Sequence, residues 1–147
     1  MKYNKPLIAA LIGALSSIPG EIVTQLFVFL GIGKYSIYQL DSLLITFNRP
    51  TEIIGLMVNF IVGSLIGVFF YYALEKLGQD YLVLKGIVIS SIFWMLTEFM
   101  FTLTVEGKYI DIRPINDYYI HILGAIVFGI SLGFLFERYL INKSSPI

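Results

Sequence analysis

Residues 53–74 read IIGLMVNFIVGSLIGVFFYYAL, a stretch without a single charged side chain. At 1.5 Å per residue such a run crosses a hydrocarbon core of about 30 Å as one α-helix. Three more apolar runs accompany it, over about residues 7–32, 82–105 and 119–140, with Lys85 near the start of the third. Lipid offers no partner to backbone N–H and C=O groups, so helices are the expected form. The residue alternation of barrel strands is missing. The sequence therefore predicts an all-α fold, a four-helix transmembrane bundle, as a single integral membrane domain over residues 1–147.

Composition agrees. Hydrophobic residues make up 57% of the chain and charged residues 14%, against about 25% charged in soluble domains. Mean hydropathy is +0.82. Ten basic and ten acidic side chains cancel, leaving no basic field for nucleic acid. Cysteine is absent and His121 is the one histidine. That removes thiol nucleophiles, thiolate metal sites and any multi-histidine zinc site within one chain. No cofactor and no metal are expected. Lys2 and Lys5 ahead of the first run give it some likeness to a secretory signal. The run extends well past a signal's apolar region and no clear A-x-A site ends it, so the first span is expected to be retained.

Orientation follows from lysine and arginine. One side holds Lys2, Lys5, Lys76, Lys85, Arg138 and Lys143, and the other holds Lys34, Arg49, Lys108 and Arg113. The acids Asp41, Glu52, Glu106, Asp111 and Asp117 fall on the second side. Both termini are expected to be cytoplasmic, in a multi-pass cell-membrane protein. On the outer side, Ile37, Leu40, Leu44 and Phe47 recur at helical spacing within Tyr35–Phe47. Ser36, Gln39 and Ser42 fall elsewhere around the wheel. This predicts a short interfacial helix after the first span, ended by the turn signal Asn48-Arg49-Pro50. Tyr109, Tyr118 and Tyr119 suit an interfacial belt around the second outer connection.

Spans one and three share a pattern. Gly13, Ser16-Ser17-Ile18 and Thr24-Gln25-Leu26-Phe27 parallel Gly86, Ser90-Ser91-Ile92 and Thr97-Glu98-Phe99. Spans two and four share Gly63-x-x-x-Gly67 and Gly129-x-x-x-Gly133 ahead of aromatic residues and a glutamate. Two tandem helical hairpins in the same orientation would explain this, as parallel repeats do in some transporters. Glycine and serine are also common in membrane helices, and short matches arise by chance. In either case Gly63, Gly67, Gly86, Gly129 and Gly133 are expected at helix–helix seams, where small residues let backbones approach. Such seams fit either within one chain or between chains of a homo-oligomer or larger membrane complex.

Two carboxylates, Glu21 and Glu98, lie inside spans, where they are costly unless they face the bundle or a wet cavity. Glu21 follows Pro19-Gly20. Proline lacks an N–H and crowds the carbonyl of Leu15, so a kink or opening is expected there. Asn59 and Glu98 come out at similar depth, roughly 10 Å below the outer surface at 1.5 Å per residue. Glu21 lies deeper and His121 shallower. If the polar stripes face one another, Glu21, Asn59, Glu98 and His121 form a cluster opening outward. Such a cluster suits a cation, a proton relay or a small polar solute. It also suits a buried network that only fixes helix register. Trp94 reads as packing or as an aromatic wall.

Gly63 and Gly67 followed by Tyr71-Tyr72-Ala73-Leu74, then Lys85-Gly86, Trp94, and His121-Ile122-Leu123-Gly124 with Gly129 and Gly133, form a pattern from about Glu52 onward. It resembles a group of uncharacterised four-span membrane proteins of Gram-positive bacteria, the YqhR type. The resemblance implies four spans and adds no chemistry. Pro19-Gly20-Glu21 has no counterpart in it. The functional expectation is thus a binding or transport component. The alternatives are a structural or regulatory subunit of a membrane complex, or a lipid-handling protein. An intramembrane enzyme is the weakest reading. No Ser–Lys, Asp–Asp or His-rich constellation is visible, although Glu98 with His121 could do acid–base work.

Overall fold

The computed structural model describes residues 4–141, so Lys2 and Lys143 of the orientation argument lie outside the described residues. Five α-helices follow in order: α1 Lys5–Phe29, α2 Ile37–Thr46, α3 Glu52–Leu77, α4 Leu82–Thr104 and α5 Ile115–Phe136, the last continued by a π-helical turn over Glu137–Ile141. Four of them, α1, α3, α4 and α5, are long and apolar enough to cross a membrane. The chain is an all-helical, multi-pass membrane protein.

Local chemistry sets the ends. Asn4 accepts the Leu7 N–H and Pro6 occupies the first turn of α1, where its missing N–H costs nothing. α1 stops about three residues short of the expected end, and the chain turns at Gly31, which takes φ +74°. α5 begins four residues early because Pro114, extended and unable to continue a helix backwards, stands as its N-cap. Between α3 and α4 the chain reverses at Gly78. Lys85 Nζ donates to the Leu77 and Gly78 carbonyls at 2.8 and 3.1 Å, placing a cation on the negative end of α3.

Packing runs in the order α3–α1–α5–α4, and the outer pair α3 and α4 touch only sparsely. Each neighbouring pair meets through glycine. A Cβ on Gly13 of α1 would overlap the Gly63 carbonyl of α3, and one on Gly86 of α4 would overlap the Gly129 carbonyl of α5. Gly67 and Gly133 continue the two seams one turn on. The seams lie within one chain and pair the same positions that the sequence pattern aligns. Gly20 forms a third crossing, its Cβ position 2.7 Å from Gly124 O on α5. α1 runs as one helix through Pro19, so the chain does not open there. Ser16 and Ser17 donate back to the Ile12 and Ala14 carbonyls.

Near the end that carries the termini, the interior is apolar. Ala9, Ile12, Ile66, Phe70, Leu74, Leu132 and Phe136 form one buried cluster, with Phe70 and Phe136 edge to face at 4.8 Å. At the other end α2 packs against α3, where Gly55 admits the Tyr38 carbonyl. Of the expected apolar face, Leu40 is buried and Ile37 and Leu44 are half-buried, while Phe47 is exposed. The buried side also takes in Tyr38, Asp41, Ser42 and Leu43. Polar pairing accompanies this: Ser42 accepts the Thr51 N–H at 2.9 Å, and Asp41 meets Asn59 of α3.

Candidate functional site

The α2 end of the bundle is built from charges. α1 presents Glu21 and Thr24 to the start of α2. Glu21 Oε2 accepts the Tyr38 N–H at 2.9 Å and the Thr24 hydroxyl at 3.2 Å, and Oε1 accepts Gln25 Nε2 at 2.9 Å. Thr24 Oγ1 accepts the Ile37 N–H at 3.2 Å. A carboxylate there satisfies unpaired N–H groups and meets the positive end of the helix dipole. Glu21 thus ties α2 to α1, with both its oxygens engaged.

The connection between α4 and α5 is held by a second carboxylate in a span, through an arginine. Arg113 Nη2 donates to Glu98 Oε2 at 2.7 Å and to Glu106 Oε2 at 3.1 Å. Its Nε and backbone N–H reach Glu106 Oε1 at 3.3 and 2.7 Å. The guanidinium lies over the Phe101 and Tyr118 rings, 4.7 and 4.6 Å from their centroids. Burial would raise the Glu106 carboxyl, but the Arg113 side chain and backbone and the Tyr118 hydroxyl together hold it below its usual range. Burial likewise works against the Arg113 charge, and Glu98 and Glu106 outweigh it, so its pKa stands above the ordinary value.

His121, 1% exposed, closes this network. Its Nε2 lies 2.8 Å from the Tyr35 carbonyl and its Nδ1 lies 3.3 Å from Glu98 Oε1. A carbonyl oxygen only accepts, so Nε2 carries a proton. Two lone pairs would repel across the other gap, so a further proton sits between Nδ1 and Glu98. Both ring nitrogens are engaged.

Beneath α2 lies a cavity of about 110 Å³ lined by all five helices. Its walls include Leu40, Val62, Ile66, Phe93 and Phe128, and its polar groups include Asp41, Asn59, Trp94, Glu98 and His121. Asn59 Nδ2 donates to Asp41 Oδ2 at 2.6 Å. That leaves Asn59 Oδ1 buried without a partner, and the Trp94 indole N–H is in the same state. Asp41 is pushed up to about 7 by burial, against the lowering effect of Asn59 and His121 and with the help of Glu21 and Glu98.

The four residues singled out from sequence are distributed as follows. Glu98 and His121 touch each other and line the cavity; Asn59 lines it too but bonds to Asp41. Glu21 makes no hydrogen bond to the other three among the described residues and serves the start of α2 instead. Asp41, Arg113 and Glu106 were not singled out as site residues. Asp41 sits in a short helix whose apolar repeat drew attention away from it. Arg113 sits in a polar connection, where the one signal is its position directly before Pro114 at the mouth of the last span. Among the described residues no group of three His, Asp or Glu side chains is placed to hold a metal ion. Comparison with family models, curated proteins and solved structures gives no match, so the geometry alone carries the functional argument.

Proposed function

We propose that this membrane protein is a binding or transport component for a small solute, held in the cavity beneath α2. The reading rests on the cavity itself. It lies among membrane-crossing helices, has apolar walls, and is lined by Trp94 and Asn59, whose indole N–H and amide oxygen are buried with no hydrogen-bond partner among the described residues. An unpaired buried polar group costs about 1–3 kcal/mol, and a ligand supplying the missing bonds recovers it. Arg113 Nη1, in the network that holds the 105–114 connection, is also buried without a partner among the described residues, but it does not line the cavity, whereas Trp94 and Asn59 do. We place α2 and the 105–114 connection on the outer face and both termini in the cytoplasm, following the basic-residue bias.

Trp94 is the one tryptophan of the chain, so its emission reports on the cavity. The test is a titration of the purified protein in lipid nanodiscs with a panel of small cations and neutral polar solutes. At least one should give a saturable change, and Val62→Phe, which pushes a ring into the cavity, should abolish it. If no solute produces a saturable response in the parent chain, or if Val62→Phe responds unchanged, the cavity is not a solute site.

A further inference from the structure

The charge balance around the cavity identifies the kind of solute. Arg113 is matched by Glu106, both at hydrogen-bond distance. Glu98 and His121 hold one proton between them beyond the one on Nε2, so that pair is neutral as a unit. Glu21 is met by the N–H groups at the start of α2, a hydroxyl and an amide. Asp41 is the exception. It is 8% exposed and lines the cavity, and its one hydrogen-bond partner among the described residues is the neutral Asn59. Among the described residues no lysine or arginine forms an ion pair with it.

We propose that the cavity takes a small organic ammonium ion with an apolar body, its N–H donors directed at the Asp41 carboxylate and Asn59 Oδ1. This rests on the solute reading above and names the class. A cavity of roughly 150 Å³ accepts benzene, so one of about 110 Å³ suits about five non-hydrogen atoms, such as a butylammonium ion. The walls Leu40, Val62, Ile66, Phe93 and Phe128 take the hydrocarbon part. Trp94 adds an aromatic ring, the side chain best suited to a cation.

A consequence concerns protons. The ionisable groups facing Asp41 are Glu21 from α1, Tyr38 on α2, Glu98 from α4 and His121 from α5, while α3 contributes the neutral Asn59. His121 favours the Asp41 charge and the two glutamates oppose it. With burial holding Asp41 near 7, the carboxyl carries a proton in mildly acid solution, and an entering ammonium displaces it. Below about pH 7, ammonium binding is therefore linked to proton release at this side chain.

The test uses n-butylammonium and its neutral isostere n-butanol, titrated against Trp94 emission of the full chain in nanodiscs between pH 5 and 8. Butylammonium should bind about ten-fold more weakly at pH 6 than at pH 8, and butanol should show no such dependence. Asp41→Asn should weaken butylammonium at pH 8 at least ten-fold and flatten its pH profile, with butanol unaffected. Asn59→Leu, which keeps Asp41 but removes the hydrogen bond that lowers its carboxyl, should weaken butylammonium and move its pH profile to higher pH. Equal binding of the two probes at pH 8, or a butylammonium profile flat in the parent chain, overturns the ammonium assignment whether or not the variants fold. If butanol binds and butylammonium does not, the solute site stands and its charge class falls. If neither binds while other solutes in the panel do, the assignment also falls.

Discussion

The two ends of this bundle bury their interiors by opposite means. Toward the termini, α1 meets α3 and α4 meets α5 backbone to backbone over Gly13, Gly63 and Gly67 and over Gly86, Gly129 and Gly133. The space left is filled by Phe70, Leu132 and Phe136, all fully buried. Toward α2, the bundle takes in a short helix and a connection, each moored to a span by a glutamate: Glu21 for α2, Glu98 through Arg113 for the connection. Close packing needs small residues and leaves no room. Charged mooring needs volume, and the volume not used by its own hydrogen bonds becomes the cavity. Rigidity at one end and a solute-sized space at the other thus come from one set of helices.

Arg113 tests the polar end most severely. Its guanidinium side chain is 0% exposed and bridges Glu98 and Glu106. Removing one partner of a buried ion pair leaves charge uncompensated and costs about 3–5 kcal/mol. Arg113→Met should destabilise the protein by about that amount in chemical denaturation, and a loss below about 1 kcal/mol would show that the network does not hold the connection. Gly67→Leu probes the other end. The branched side chain would run into the α1 backbone at Ala9 and Gly13, and overpacking of this kind costs about 1–3 kcal/mol. The loss should be the same at pH 5 and pH 7, because the backbone contacts of Gly67 are with Ala9 and Gly13, which do not titrate.

Asp41 gives the two ends different pH behaviour. Its carboxyl stands near 7 when folded against an ordinary value of 3.8. Between about pH 4 and 7 the folded chain keeps a proton that the unfolded chain has released, so stability falls as pH rises through this window. The slope is at most about 1.4 kcal/mol per pH unit. Asp41→Asn should remove the slope between pH 5 and 7. A slope that persists in that variant would place the titrating group elsewhere.

The spans and their approximate ends were legible because uncharged runs of this length have one reading in a bilayer. The glycine seams stood out as spacing alone, since small residues four apart mark close approach whichever partner supplies the other backbone. Partners were harder. Glu98 and His121 could be set at related depths from 1.5 Å per residue, but depth does not give azimuth. Glu21 therefore looked equivalent to Glu98, although it faces the start of α2. Asp41 and Arg113 were hidden for a different reason. Both lie outside the spans, where a charge is unremarkable until the chain folds back and buries it. Composition counts a residue's charge and cannot see that Arg113 ends under two aromatic rings.

Because the chain has no cysteine, single cysteines report cleanly on which end of the interior a small reagent reaches. Thr97 lines the cavity and Leu132 is fully buried in the apolar end. The decisive measurement is the rate at which a small cationic methanethiosulfonate modifies Thr97→Cys and Leu132→Cys in membranes. Rapid modification of the first, slowed by butylammonium, with the second inert, is the expected result. Equal protection of both sites, or equal reactivity, would contradict a solute cavity confined to the α2 end.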